Sequence, residues 1–155
     1  MKILLAEDEA VSQRLLQSYL QKWGHEVVLA RNGAEAWRLF QEGDFPVVIS
    51  DWIMPEMEGV ELIRRIRAAQ RPKYVYTILL TAKSQKEDVV EGMEAGADDF
   101  VTKPFDRDEL RVRLRAGERV LELEHTLAEQ HLVPQMDRCL DVLARMREGV
   151  HKLHA

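Results

Sequence analysis

Asp51 closes an apolar run from Phe45 to Ser50 and is followed by Trp-Ile-Met-Pro-Glu-Met-Glu-Gly, so one carboxylate stands where a buried strand gives way to a loop. Three other strand-like runs end in groups able to serve it. Ile3 to Ala6 ends in Glu7 and Asp8, Tyr76 to Leu80 in Thr81, and Phe100 to Thr102 in Lys103 and Pro104. A carboxylate nucleophile, an acidic pair, a hydroxyl and a lysine form a set suited to making an aspartyl phosphate. Transfer of a phosphoryl group needs electrostatic help at its oxygens, which a cation and a lysine supply.

Strands must deliver these groups to one place. The first 116 residues alternate short aliphatic runs with amphipathic stretches, the pattern of a parallel sheet covered by helices on both faces. Five βα units are predicted, with strands near Lys2 to Ala6, Glu26 to Ala30, Val47 to Ser50, Val75 to Leu80 and Asp99 to Val101. Several strands are apolar throughout, as expected when both faces are buried. Between them, Val11, Leu15, Leu16, Tyr19 and Leu20 mark a first helix, and Ala34, Trp37, Leu39 and Phe40 a second, after an Asn32-Gly33 turn. Val60, Leu62, Ile63 and Ile66 mark a third, and Val89, Val90 and Met93 a fourth that Gly96 stops. Asp106 with Glu109 three residues on reads as a capping box for the fifth.

In a doubly wound sheet, function gathers at the carboxyl ends of the strands where strand order reverses. With the order 2-1-3-4-5, the first and third strands are neighbours about 4.8 Å apart and bring Glu7, Asp8 and Asp51 together. Two such charges about 5 Å apart repel by roughly 3 kcal/mol at an effective dielectric near 20, so a cation is implied. Oxygen ligands without clustered His or Cys favour Mg²⁺, which keeps waters and shares its coordination with phosphate. Short Thr81 on the adjacent fourth strand and long Lys103 on the more distant fifth could each reach the same ligand, and small Ala82 leaves space for it.

On these residues the chain resembles the receiver domain of two-component response regulators. The matching pieces are Glu7-Asp8, Asp51 with Met54-Pro55 and Gly59, Thr81-Ala82, and Phe100-Val101-Thr102-Lys103-Pro104-Phe105, within about residues 1–116. The resemblance implies a flavodoxin-like (βα)5 three-layer α/β sandwich. It also implies Asp51 as phosphoacceptor, with Mg²⁺ held by Glu7, Asp8, Asp51 and the Ile53 backbone carbonyl. Thr81 and Lys103 would contact the phosphoryl group, and Thr81 and Phe100 would form the switch that changes the surface of the fourth helix, fifth strand and fifth helix. Lys103-Pro104 often carries a cis bond in this family. The donor is typically a phosphohistidine on a sensor histidine kinase or a phosphotransfer protein. Such a domain is a phosphoacceptor rather than an enzyme, catalysing only its own aspartyl phosphorylation and dephosphorylation. Phe100 lacks the hydroxyl of the tyrosine often found there. Ile53 and Lys83 occupy places that help govern dephosphorylation in the family, and apolar Ile53 predicts a long-lived phosphoryl group.

Length and charge bound the rest. With 155 residues and 46% apolar content, the chain fits one domain of about 110 to 120 residues plus an appendage. A net charge of −5 with mixed signs offers no basic face for nucleic acid and no polybasic membrane patch. A single cysteine, Cys139, excludes an internal disulfide, and the short N-terminal apolar run suits neither a signal peptide nor a membrane span. A cytoplasmic protein is expected.

Residues 117–155 read as a helical extension. Val120, Leu123 and Leu127 recur among charges, and after Pro134 the residues Met136, Cys139, Leu143, Met146, Val150 and Leu153 keep a/d spacing. The seam fits a dimeric coiled coil or a helix folded back on its own domain. A homodimer through this helix or through the fourth-to-fifth-helix face is expected, as is a possible output module beyond it. The five histidines form no metal pattern, and the tail is too short for a four-helix phosphotransfer bundle. Two alternatives remain: a degenerate receiver acting as a binding or dimerisation scaffold, and a haloacid dehalogenase-type phosphatase. The second expects an Asp where Ile53 stands.

Overall fold

The structure, a computed structural model, describes residues 1–82 and 86–130, with only the backbone of Lys86, Glu87 and Gln130. Lys83 and the a/d seam from Met136 to Leu153 lie outside the described residues. Five strands, β1 (Lys2–Ala6), β2 (Glu26–Ala30), β3 (Val47–Asp51), β4 (Tyr76–Thr81) and β5 (Asp99–Thr102), alternate with five helices. These are α1 (Ala10–Lys22), α2 (Gly33–Glu42), α3 (Gly59–Ala68), α4 (Lys86–Ala95) and α5 (Arg107–Gln130). The sheet is parallel in the order β2-β1-β3-β4-β5, as the sequence predicts. Residues Met1–Leu121 form one compact unit.

Strand alternation explains the layers. Ile3 and Leu5 of β1 join Val47 and Ile49 of β3 and Ile78 and Leu80 of β4 beneath Leu16, Leu20, Leu110 and Leu114 of α1 and α5. Leu4 and Val48, one residue out of phase, face the opposite way against Ala36 and Phe40 of α2 and Leu62 and Ile66 of α3. Each fully buried aliphatic side chain contributes about 1.5–3 kcal/mol. A third cluster joins Trp52, Val60 and Ile63 to Leu79, Ala95 and Ala97.

Local signals set the element ends. The Asn32 side chain accepts from the Glu35 amide at 2.7 Å and starts α2. Gly96, at φ +112°, ends α4. Asp106 Oδ1 accepts from the amides of Asp108 (2.8 Å) and Glu109 (3.2 Å), so the predicted N-cap holds. Glu109, expected to complete the box, is engaged through Oε1 by Arg113 Nε at 3.2 Å.

Two helices bury less than their periodicity predicts. On α1, Leu16 and Leu20 are core, whereas Val11 and Leu15 are 69% and 38% exposed. On α4, Val89, Val90 and Met93 all face solvent.

Below the sheet, at the amino ends of β4 and β5, Arg67 of α3 ties elements together. Its guanidinium donates to the Gly96 and Val75 carbonyls and to Asp98 Oδ2, the last at 2.7 Å. Asp98 also accepts from the Thr77 amide and the Tyr74 hydroxyl. The end of α4 is thereby anchored to α3 and β4.

Candidate functional site: an acidic pocket at the carboxyl ends of the strands

Register carries the acids to one edge. Ala6 pairs with Ser50 across β1 and β3, so Glu7 and Asp51, the next residue of each strand, emerge side by side. The Glu7 amide continues the ladder to the Ala30 carbonyl at 3.1 Å, which holds its backbone at the strand end. Glu7 is fully buried, Asp51 nearly so at 7% exposure, and Asp8 open to solvent. One carboxylate oxygen from each of the three lies within 4.8 Å of the others.

Lys103 enters from β5's far end. Its amide donates to the Thr81 carbonyl at 2.9 Å, and its ammonium lies 2.8 Å from Asp51 Oδ2 and 3.2 Å from Glu7 Oε2. The Lys103-Pro104 peptide is cis. Burial works against the ammonium, but the hydrogen bond and charge of Asp51, with help from Glu7, carry the Lys103 pKa above its ordinary value. Burial, reinforced by the charge of Asp51, pushes the Glu7 carboxyl up to about 7.

The pocket fits a hard divalent cation. Among the described residues Glu7 Oε2 is buried without a hydrogen bond: Lys103 neighbours it as a charge, while the lysine's hydrogen bond goes to Asp51. A buried carboxylate oxygen with no partner but an ammonium, within reach of two further carboxylates, has the chemistry of a ligand for such an ion.

The predicted residues divide into two groups. Glu7, Asp8, Asp51 and Lys103 converge. Thr81 is buried at the end of β4, bound to Lys103 through backbone. Phe100 lies elsewhere, packed against the third cluster and stacked on Trp52 with ring centroids 6.4 Å apart. Trp52, directly after Asp51, is only 2% exposed. The Ile53 side chain is 60% exposed beside the pocket.

Two contributors, Gln13 and the Trp52 amide, escaped sequence reasoning, and a third, Gly59, entered it only as part of the family motif. The Gln13 side-chain amide donates to the Glu7 carbonyl, fastening α1 to the end of β1. The Trp52 amide donates both to Asp51 Oδ1 (2.8 Å) and to the Leu80 carbonyl (2.9 Å). A Cβ at Gly59 would stand 2.1 Å from the Asp51 carbonyl oxygen, so α3 starts against the backbone of the acceptor. The glycine eight residues after Asp51 was the available signal for the last; the other two are tertiary contacts without a local mark.

Residues 3–115 match the response regulator receiver domain family. The chemotaxis protein CheY1 of Helicobacter pylori is 36% identical over 116 residues, covering 74% of this chain and 94% of that protein. The transcriptional regulatory protein SrrA of Staphylococcus aureus is 37% identical over 115 residues, covering 74% of this chain but 46% of SrrA. The structure of the chemotaxis response regulator CheY4 of Vibrio cholerae superposes with a TM-score of 0.71 at 32% identity, covering 75% of this chain and 97% of that one.

Proposed function

Because the chain belongs to the response regulator receiver domain family, we propose that it accepts a phosphoryl group on Asp51 from a phosphohistidine of a sensor kinase or phosphotransfer protein. The observation that carries this reading is the Lys103 ammonium 2.8 Å from Asp51 Oδ2, beside two further acids whose oxygens lie within 4.8 Å. In the transfer, an Asp51 oxygen forms a bond to phosphorus as the donor's P–N bond breaks, and the imidazole leaves with the electron pair. Glu7, Asp8, Asp51 and the Ile53 carbonyl would hold Mg²⁺, which neutralises charge on the phosphoryl oxygens. Lys103 would pass from Asp51 to those oxygens, and the Thr81 hydroxyl would follow them. Phe100 would respond by repacking, shifting a population between two arrangements of α4, β5 and α5.

Exposed apolar residues support a docking face for the donor. Val11 and Leu15, one turn apart on α1 after the Glu7-Asp8 pair, and Ile53, two residues after Asp51, are exposed apolar residues. The exposed Leu123 of α5 supports a contact made by the extension, with a second copy or with an output module. The match to 46% of SrrA illustrates a receiver carried within a longer chain.

Incubation with acetyl phosphate and Mg²⁺, followed by intact mass, tests the proposal. A single phosphoryl adduct, absent in Asp51→Asn, is expected. An unlabelled native chain indicates a scaffold, and continuous release of phosphate without an adduct indicates a phosphatase; either result overturns it.

A further inference from the structure

A continuous line of contacts runs from the Asp51 carboxylate to α4 through Trp52. The Trp52 amide proton is divided between Asp51 Oδ1 at 2.8 Å and the Leu80 carbonyl at 2.9 Å. Its indole is buried among Val60, Ile63, Leu79 and Ala95, and stacks on Phe100 at an interplanar angle of 24°. The tip of the Phe100 ring fills the space left by Gly92 of α4: a Cβ there would meet Phe100 Cζ at 2.7 Å and Cε1 at 2.9 Å. Acceptor, tryptophan, phenylalanine and helix thus touch in series.

The hydrogen bond at the head of this series depends on charge. While Asp51 is a carboxylate, the Trp52 N–H bond to Oδ1 is charge-assisted and about twice as strong as a neutral one. Once Asp51 is an acyl phosphate, the negative charge resides on the phosphoryl oxygens, and the aspartyl oxygens become neutral acceptors whichever of them is esterified. Leu80 then takes the larger share of the same proton. A close-packed core answers so small a re-aiming by changing between discrete packings.

We infer that Trp52 is a positioning residue that reports the charge of Asp51 to α4 through Phe100 seated at Gly92, reaching Phe100 by a contact other than the Thr81 hydroxyl. It rests on the acceptor role proposed for Asp51. Substituting Gly92 by alanine pushes the Phe100 ring out of its seat while leaving every group of the pocket in place.

The test measures amide hydrogen exchange of residues 88–97 in the full chain, with and without acetyl phosphate and Mg²⁺, at Asp51 occupancies matched by intact mass. Gly92→Ala labels as the native chain does, and its exchange response falls by about threefold or more, the scale of coupling between packed neighbours. Trp52→Leu loses the response to a similar extent, and Trp52→Phe, which keeps an aromatic face, recovers it. Full native responses in Gly92→Ala or in Trp52→Leu overturn the relay while leaving the acceptor role standing. A native chain that takes no label at Asp51 removes the acceptor role and the relay with it.

Discussion

Lys103 Nζ lies 2.8 Å from Asp51 Oδ2 and 3.2 Å from Glu7 Oε2, so one cation balances two buried acids delivered by different strands. Removing it leaves like charges facing each other across the sheet edge. Lys103→Met should lower stability by about 1–3 kcal/mol in metal-free buffer, less than for a fully buried pair because the lysine is partly open to water. Millimolar Mg²⁺ should recover much of the loss. Urea midpoints with and without the ion check this; equal midpoints for native and variant in metal-free buffer would count against the balance of charge.

Glu7 links the pocket to pH. Its folded pKa of about 7, raised by burial and then by Asp51, stands above the ordinary carboxylate value of 4.5. Between these values the folded chain holds a proton that the unfolded chain has released, so this residue's contribution to stability is full below about 4.5 and is lost as pH rises through 7. A metal needs the deprotonated carboxylate, so Mg²⁺ affinity should climb by about tenfold per pH unit below 7 and flatten above it. Titration of the ion from pH 6 to 8 measures the slope. Glu7→Gln should abolish the proton linkage and bind Mg²⁺ weakly at every pH; a native affinity flat across this range excludes the linkage.

Much of this was legible in the sequence because the chemistry sits where apolar runs stop. Continuous runs such as Val47 to Ser50 announce buried parallel strands, and the residues just beyond them, Glu7, Asp51, Thr81 and Lys103, fall at the functional edge by topology alone. Helical faces were harder. Val11 and Leu15 keep a core spacing on α1 yet face solvent, because spacing fixes a face and only packing decides whether anything covers it. The place of Trp52 was invisible for the same reason: its burial depends on α3 and α4 closing over it and on a glycine, Gly92, forty residues away. Strand ends shifted by one residue at β3, β4 and β5, because the ladder pairs Asp51 with Leu80 and Thr81 with Thr102 beyond the end of the apolar runs.

The apolar surface on α1 gives a prediction that separates chemistry from docking. Val11, 69% exposed, contributes little to the core, and an aspartate there adds charge to a face that would meet the donor. Val11→Asp should slow phosphotransfer from a phosphohistidine protein by about tenfold, the cost of one well-placed interface contact. Labelling by acetyl phosphate, which needs no docking, should be unchanged. Equal slowing with both donors would relocate the defect to the pocket.

Gly59 tests how tightly α3 holds the acceptor. Its amide donates to the Trp52 carbonyl at 2.9 Å, closing the loop after Asp51, and a Cβ would stand 2.1 Å from the Asp51 carbonyl oxygen and 3.0 Å from Ser50 Oγ. The first is backbone, and Ser50 Oγ is held by donating to that same carbonyl at 2.9 Å, both at the end of the central strand β3. Gly59→Ala must therefore move α3 or the end of β3, at a cost of about 1–3 kcal/mol despite alanine's better helix propensity. Since Asp51 moves with its backbone, acetyl phosphate labelling should slow in folded protein as well. Urea unfolding and labelling rate measured on the same preparation check both effects. A variant as stable and as readily labelled as the native chain would show that the close approach does not position the acceptor.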